Sequence, residues 1–150
     1  MSPPYVDTSA LAKWYFNEPL SQEVEDYLAN QSYVLISSLT IVEMRSLLLR
    51  RRRAGELTPA LVERVWATFR EDQAVGALNV LDVGDEHLRA AARLLDRLEA
   101  PLRTLDAIHL ALVESAGTRT CATADRILAA GARELGLEVA TFFAGSGEKS

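Results

Sequence analysis

Cysteine is almost missing from this 150-residue chain. A single residue, Cys121, excludes an internal disulfide and a cysteine-based zinc cage, and its place in the apolar stretch "TRTCAT" makes it a small buried residue. Long hydrophobic runs are missing as well, since none approaches the roughly eighteen residues of a membrane span. The opening "MSPPYVDTSA" has no basic segment followed by an apolar stretch, so no targeting signal is expected and the chain reads as cytoplasmic. Positive charge is not in excess: the net charge is −5, and the molecule as a whole does not advertise a polyanion partner. A local basic patch could still dock phosphates, and "RRRR" at 50–53, with Arg64 and Arg70 beyond it, shows how unevenly the charge is spread.

What is present is the composition of a soluble globular protein, 49% apolar and 25% charged, long enough for one domain with a real core. The order of elements is legible. Strands are expected at "PPYVD" (3–7), "YVLIS" (33–37), "ALNVLDV" (77–83), "TRTCAT" (118–123) and "LEVAT" (137–141). Helices are expected at "SALAKWYF", "SQEVEDYLANQ", "SLTIVEMRSLLLRRRRAG", "TPALVERVWATFREDQAV", "DEHLRAAARLLDRLEA", "RTLDAIHLALVESAG" and "DRILAAGARELG". Gly55 and Gly117 mark helix ends, Thr58 with Pro59 a helix start, and Pro101 the end of the fifth helix. Alternating strands and helices argue for a parallel sheet covered on both faces, its short apolar strands buried on both sides. Residues 1–144 read as a single domain and the tail "GSGEKS" (145–150) as disordered.

In such sheets, sites form beyond the carboxyl ends of the strands. Asp7 follows the first strand, Glu43 the second and Asp125 the fourth. Asp106 lies in the first turn of a strongly apolar helix, with no basic residue three or four places on. Each has an ordinary explanation: Asp7 and Asp125 as helix caps, Glu43 in a capping box "TIVE" with Thr40, Asp106 favoured by the helix dipole. Caps alone, however, need not share one edge. If the four converge, two carboxylates about 5 Å apart repel by roughly 3 kcal/mol at an effective dielectric near 20, and protonation or a bound cation is the relief. An all-oxygen set suits Mg²⁺ or Mn²⁺, which activate water and screen a phosphodiester. Metal-assisted phosphodiester hydrolysis fits.

The segments "YVDTSAL", "SSLTIVEMRSLL", "TLDAIHLALVESAG" and "TATADRIL" resemble, in order and approximate spacing, PIN-domain ribonucleases, above all the VapC-type toxins of toxin–antitoxin pairs. The likeness runs from Tyr5 to about Thr141. It implies a three-layer α/β/α sandwich around a parallel five-stranded sheet, and endoribonuclease activity dependent on Mg²⁺ or Mn²⁺. It also implies a homodimer, and inhibition by a VapB-like antitoxin whose tail covers the acidic pocket. Carried over, Asp7, Glu43, Asp106 and Asp125 are the catalytic and metal-binding quartet, Asp7 and Asp106 as direct ligands, with Thr123 and Ser9 as supporting hydroxyls.

The remaining features have quieter readings. His109 reads as a packed residue at the core edge, within reach of Asp106, and His87 as a surface residue. Because the metal supplies hydroxide, neither is needed as a base. Four consecutive arginines wrap around a helix and cannot share one partner; they read first as a solvated helix end, and second as contacts for RNA or antitoxin. Trp14, Tyr15 and Phe16 read as packing rather than as a base-stacking platform. Two other classes remain open: a catalytically silent PIN-like binding module, whose mark would be a missing acid, and a phosphotransfer or phosphohydrolase domain using Asp7. The latter expects a second aspartate where Ser9 stands, or a late catalytic lysine, and the only lysines are Lys13 and Lys149.

Overall fold

The computed structural model describes residues 2–143; the expected tail at 145–150 lies outside them. Twelve elements follow one another: β1 (Tyr5–Val6), α1 (Thr8–Tyr15), α2 (Ser21–Ala29), β2 (Val34–Ser37), α3 (Ser38–Arg53), α4 (Pro59–Ala74), β3 (Leu78–Leu81), α5 (Asp85–Arg97), α6 (Thr104–Ala116), β4 (Thr120–Thr123), α7 (Arg126–Glu134) and β5 (Glu138–Thr141). All strand pairs are parallel, in the order β3-β2-β1-β4-β5.

The period-2 alternation of strands divides the interior into two cores. Val6, Ile36 and Ala122 point to one face, where they meet Leu11 of α1, Val24 of α2, Met44 and Leu48 of α3 and Phe69 of α4. Their neighbours Tyr5, Leu35 and Cys121 point to the other, against Leu94 of α5, Leu110 and Leu112 of α6 and Leu128 of α7. Four helices thus cover one face and three the other, which is the three-layer α/β/α sandwich expected. Cys121 is fully buried, and burial pushes its thiol pKa up. Trp14, Tyr15 and Phe16 are partly buried against the first core, with Tyr15 edge-on to Phe69 at 5.7 Å.

Two expectations need correction. The edge strands are not buried on both faces: Asn79 and Val80 of β3 and Glu138 of β5 are exposed, because only the inner strands have helices over both sides. And α5 stops at Arg97, short of Pro101. Proline disfavours helical geometry at the residue before it, and the backbone N–H groups of Glu99 and Ala100 instead donate to the Glu134 carboxylate of α7, at 2.8 and 2.7 Å.

The topology fixes where a site can form. From β1 the chain moves outward through β2 to β3 under the first face; it then returns past β1 to β4 and continues to β5 under the second. The connections leaving β1 and β4 diverge, and the crevice beyond their carboxyl ends is the switch point of the sheet.

Candidate active site

Asp7 ends β1 at this crevice. It is the N-cap of α1: its Oδ1 accepts the Ala10 N–H at 3.0 Å. The Ser9 hydroxyl donates to the same carboxylate at 2.8 Å, and Thr123, the last residue of β4, donates to Oδ2 at 2.6 Å. Ser9 and Thr123 also stitch the two strand ends together, because their hydroxyls accept the backbone N–H groups of Ala124 and Asp125, each at 2.9 Å. Asp7 is only 4% exposed. Burial therefore raises its pKa, against the opposing pull of the His109 charge and of the Thr123, Ala10 and Ser9 hydrogen bonds.

Asp125 divides its two oxygens. Oδ1 caps α7 through the Ile127 and Leu128 N–H groups, at 2.8 and 3.0 Å, while Oδ2 accepts from Arg103 Nη2 at 3.0 Å. The same guanidinium reaches Asp106 Oδ2 through Nε at 3.3 Å, and the Arg103 backbone N–H donates to that oxygen at 2.9 Å. Asp106 is buried at the third position of α6; Arg103 is exposed, and the two carboxylates raise its pKa. Capping and site are not alternatives: a helix that starts at a strand end brings its cap to the rim.

Glu43 enters from α3. The sequence reading makes it the partner of Thr40 in a capping box, and the structure corrects this. The cap of α3 is Ser37, so Thr40 is the third helical residue, and its Oγ1 accepts the Ser37 N–H at 3.1 Å. Glu43 is left for other partners: its Oε1 accepts from Thr8 Oγ1 at 2.6 Å and lies 2.7 Å from His109 Nε2. Partial burial raises the pKa of Glu43, but the His109 hydrogen bond and charge and the Thr8 hydroxyl outweigh it, so the net shift is downward. His109 is a buried core-edge residue, as expected, but bonds Glu43 and Tyr5 rather than Asp106. His87 is half-buried, and its Nδ1 accepts the Gly84 N–H at the start of α5 at 2.9 Å.

Asp7, Ser9, Glu43, Asp106 and Asp125 all line one cleft of about 870 Å³, and Thr123 stands behind Asp7. Among the described residues, no three acidic or imidazole side chains form a ready-made cage for an ion. Arg103 occupies the gap between Asp106 and Asp125 instead. Arg50 and Arg51 line the same cleft farther along α3; Arg51 is paired with Glu18 and stacks on Phe16 at 4.4 Å. Sequence reasoning missed Arg103, Thr8 and Tyr5. Arg103 could have been found by looking three places back from Asp106 as well as ahead; Thr8 and Tyr5 act through contacts that only the fold creates.

The family model of the PIN domain matches residues 5–134. The chain is a PIN domain. Ribonuclease VapC46 of Mycobacterium tuberculosis is 32% identical to it over 142 residues, spanning 90% of this chain and 94% of that protein, which makes this PIN domain one of the VapC type. The fold agrees: VapC20 of M. tuberculosis, described as a sarcin–ricin loop cleaving toxin, superimposes with a TM-score of 0.68 at 19% identity, over 89% of this chain and 95% of that one. PAE2754 of Pyrobaculum aerophilum gives 0.64 at 24% identity, over 92% and 83%. In these terms Asp7 and Asp125 stand at the switch point of the PIN sheet, and no helix among the described residues is long and apolar enough to cross a membrane.

Proposed function

We propose that this PIN domain is a divalent-metal-dependent endoribonuclease, the toxin of a VapC-type toxin–antitoxin pair, acting in the cytoplasm. The observation that carries the reading is the arrival of Asp7, Glu43, Asp106 and Asp125, from four separate elements, in one cleft at the switch point. Kinship to a protein named as a ribonuclease supports the substrate class.

The donor set fits a hard ion. It is entirely carboxylate oxygen, and its most buried member, Asp7, is gathered with the other three in a single cleft. Arg103 already lies between Asp106 and Asp125 as a counter-charge. Asp7 and Asp106 would hold Mg²⁺ or Mn²⁺, with Asp125 and Glu43 holding it or its waters. When bound, the ion would supply an activated water and screen the scissile phosphate. The protein's own part is to fix the carboxylates. Ser9 and Thr123 hold Asp7, the α7 N-terminus holds one Asp125 oxygen, and Arg103 must release Asp106 and Asp125, leaving its guanidinium able to meet phosphate.

Exposed Val42 and Leu105 form an apolar rim beside the acids, which suits the tail of a VapB-like antitoxin. Leu88 and Leu95 of α5, both exposed and seven residues apart, suit a homodimer contact. Purified protein should cut RNA only with Mg²⁺ or Mn²⁺, and Asp7→Asn or Asp106→Asn should abolish cutting. Cleavage that persists in EDTA, or is unchanged in both variants, rejects the proposal.

A further inference from the structure

We propose that His109 and Tyr5 are positioning residues for Glu43: they immobilise one carboxylate oxygen so that the other is presented to the divalent ion. This rests on the metal-nuclease reading above.

Glutamate carries one more rotatable bond than the three aspartates of the cleft, and Glu43 caps no helix that would hold it. What holds it is a pair of bonds on a single atom, Oε1, from Thr8 Oγ1 at 2.6 Å and His109 Nε2 at 2.7 Å. A carboxylate oxygen only accepts, so Nε2 is the donor in that contact. With Oε1 engaged twice, Oε2 is the oxygen left for a ligand.

The imidazole is in turn fixed from behind. Tyr5 Oη lies 2.7 Å from Nδ1, and the two rings meet edge-on with centroids 5.7 Å apart. Tyr5 Oη also lies 3.0 Å from Ser37 Oγ, and the Ser37 N–H bonds Thr40 Oγ1 in the first turn of α3, the helix that bears Glu43. The chain of contacts therefore closes on itself: from Glu43 through α6, β1 and the end of β2 back to α3. Tyr5, Ser37 and Thr40 are fully buried and His109 is 4% exposed. A position needing only bulk would be filled by leucine or phenylalanine, without desolvating a phenol and an imidazole. This buried polar chain ends instead on a cleft carboxylate, as the outer partners of metal-binding side chains do.

The test is calorimetric titration of the full chain with Mn²⁺ alone, with thermal unfolding followed in parallel and RNA cleavage measured on the same samples. His109→Gln keeps a donor at the place of Nε2; His109→Asn is equally polar but leaves Glu43 without one. Tyr5→Phe is nearly isosteric and lies outside the cleft. Expected are Mn²⁺ affinity within about threefold of wild type for His109→Gln, and losses of about tenfold or more for His109→Asn and Tyr5→Phe. Equal affinity in all three variants, or His109→Gln as weak as His109→Asn at equal stability, overturns the proposal. If the histidine variants do not fold, Tyr5→Phe decides alone, and wild-type affinity there overturns it. Wild-type protein that binds no Mn²⁺ removes both the proposal and the metal-nuclease reading, whereas wild-type binding with unaffected variants removes the positioning claim only.

Discussion

A carboxylate 4% exposed, held by two hydroxyls and one backbone N–H, sits in a place where an aspartate is costly. Under the proposed function, a bound cation would offset that cost. The pKa of Asp7 is raised above the usual 3.8, so its cost to folding is present at neutral pH and is relieved as pH falls through the folded-state value. Asp7→Asn keeps the cap to Ala10 and removes the charge. It is therefore expected to raise metal-free stability at pH 7 by about 1 kcal/mol, roughly 2–4 °C in Tm, while eliminating cleavage; differential scanning fluorimetry from pH 7 to 4 should show the gap narrowing. A metal-free Asp7→Asn protein less stable than wild type at pH 7 would contradict this. Glu43 behaves oppositely. Its lowered pKa contributes stability above pH 4.5 that is lost as pH falls through the folded-state value. Arg103, exposed and bridging Asp106 to Asp125, would compete with a divalent ion bound as proposed. Arg103→Gln should tighten Mn²⁺ binding in the absence of RNA by roughly threefold, the scale of one or two surface ion pairs; weaker binding would show that Arg103 supports the site instead.

At the scale of elements, most of the fold was legible because local signals agree with the tertiary ones. Thr58 is the N-cap of α4, with its hydroxyl on the Leu61 N–H at 3.1 Å, and Pro59 is its first residue. Gly117 ends α6 at φ 71°, a left-handed conformation that glycine adopts freely. Gly117→Ala should cost about 1 kcal/mol, visible as a lower urea midpoint, with cleavage unchanged in folded protein; no loss of stability would contradict the capping argument. Asp7, Asp106 and Asp125 were legible for the same reason, since each lies in or next to the first turn of a helix, where sequence spacing shows it. The rest of the site was not. The partners of Glu43 are 35 and 66 residues away along the chain, on Thr8 and His109, and no periodicity predicts such pairs. The cap of α3 was misread because "TIVE" matches a capping pattern locally, and only the end of β2 at Ser37 fixes where the helix starts.

For the molecule as a whole, a net charge of −5 opposes binding of a polyanion, so attraction must be local. The cleft combines acids at the switch point with Arg50 and Arg51 farther along α3. Arg51 is held by Glu18, leaving Arg50, with one long contact to Ser46 at 3.4 Å, the more available of the two to an RNA phosphate. Arg50→Glu should raise KM for RNA several-fold and flatten its salt dependence, leaving Mn²⁺ affinity unchanged; an unaltered KM would return the arginine run to the role of a solvated helix end. On the proposed function, the four carboxylates gathered by topology would hold a divalent ion. Anomalous diffraction from a crystal soaked in Mn²⁺ tests it most directly. A manganese peak is expected in the cleft, with oxygens of Asp7 and Asp106 at coordination distance and the Arg103 guanidinium displaced from between Asp106 and Asp125. A fully soaked crystal with no manganese in the cleft, and Arg103 still bridging the two aspartates, would contradict it.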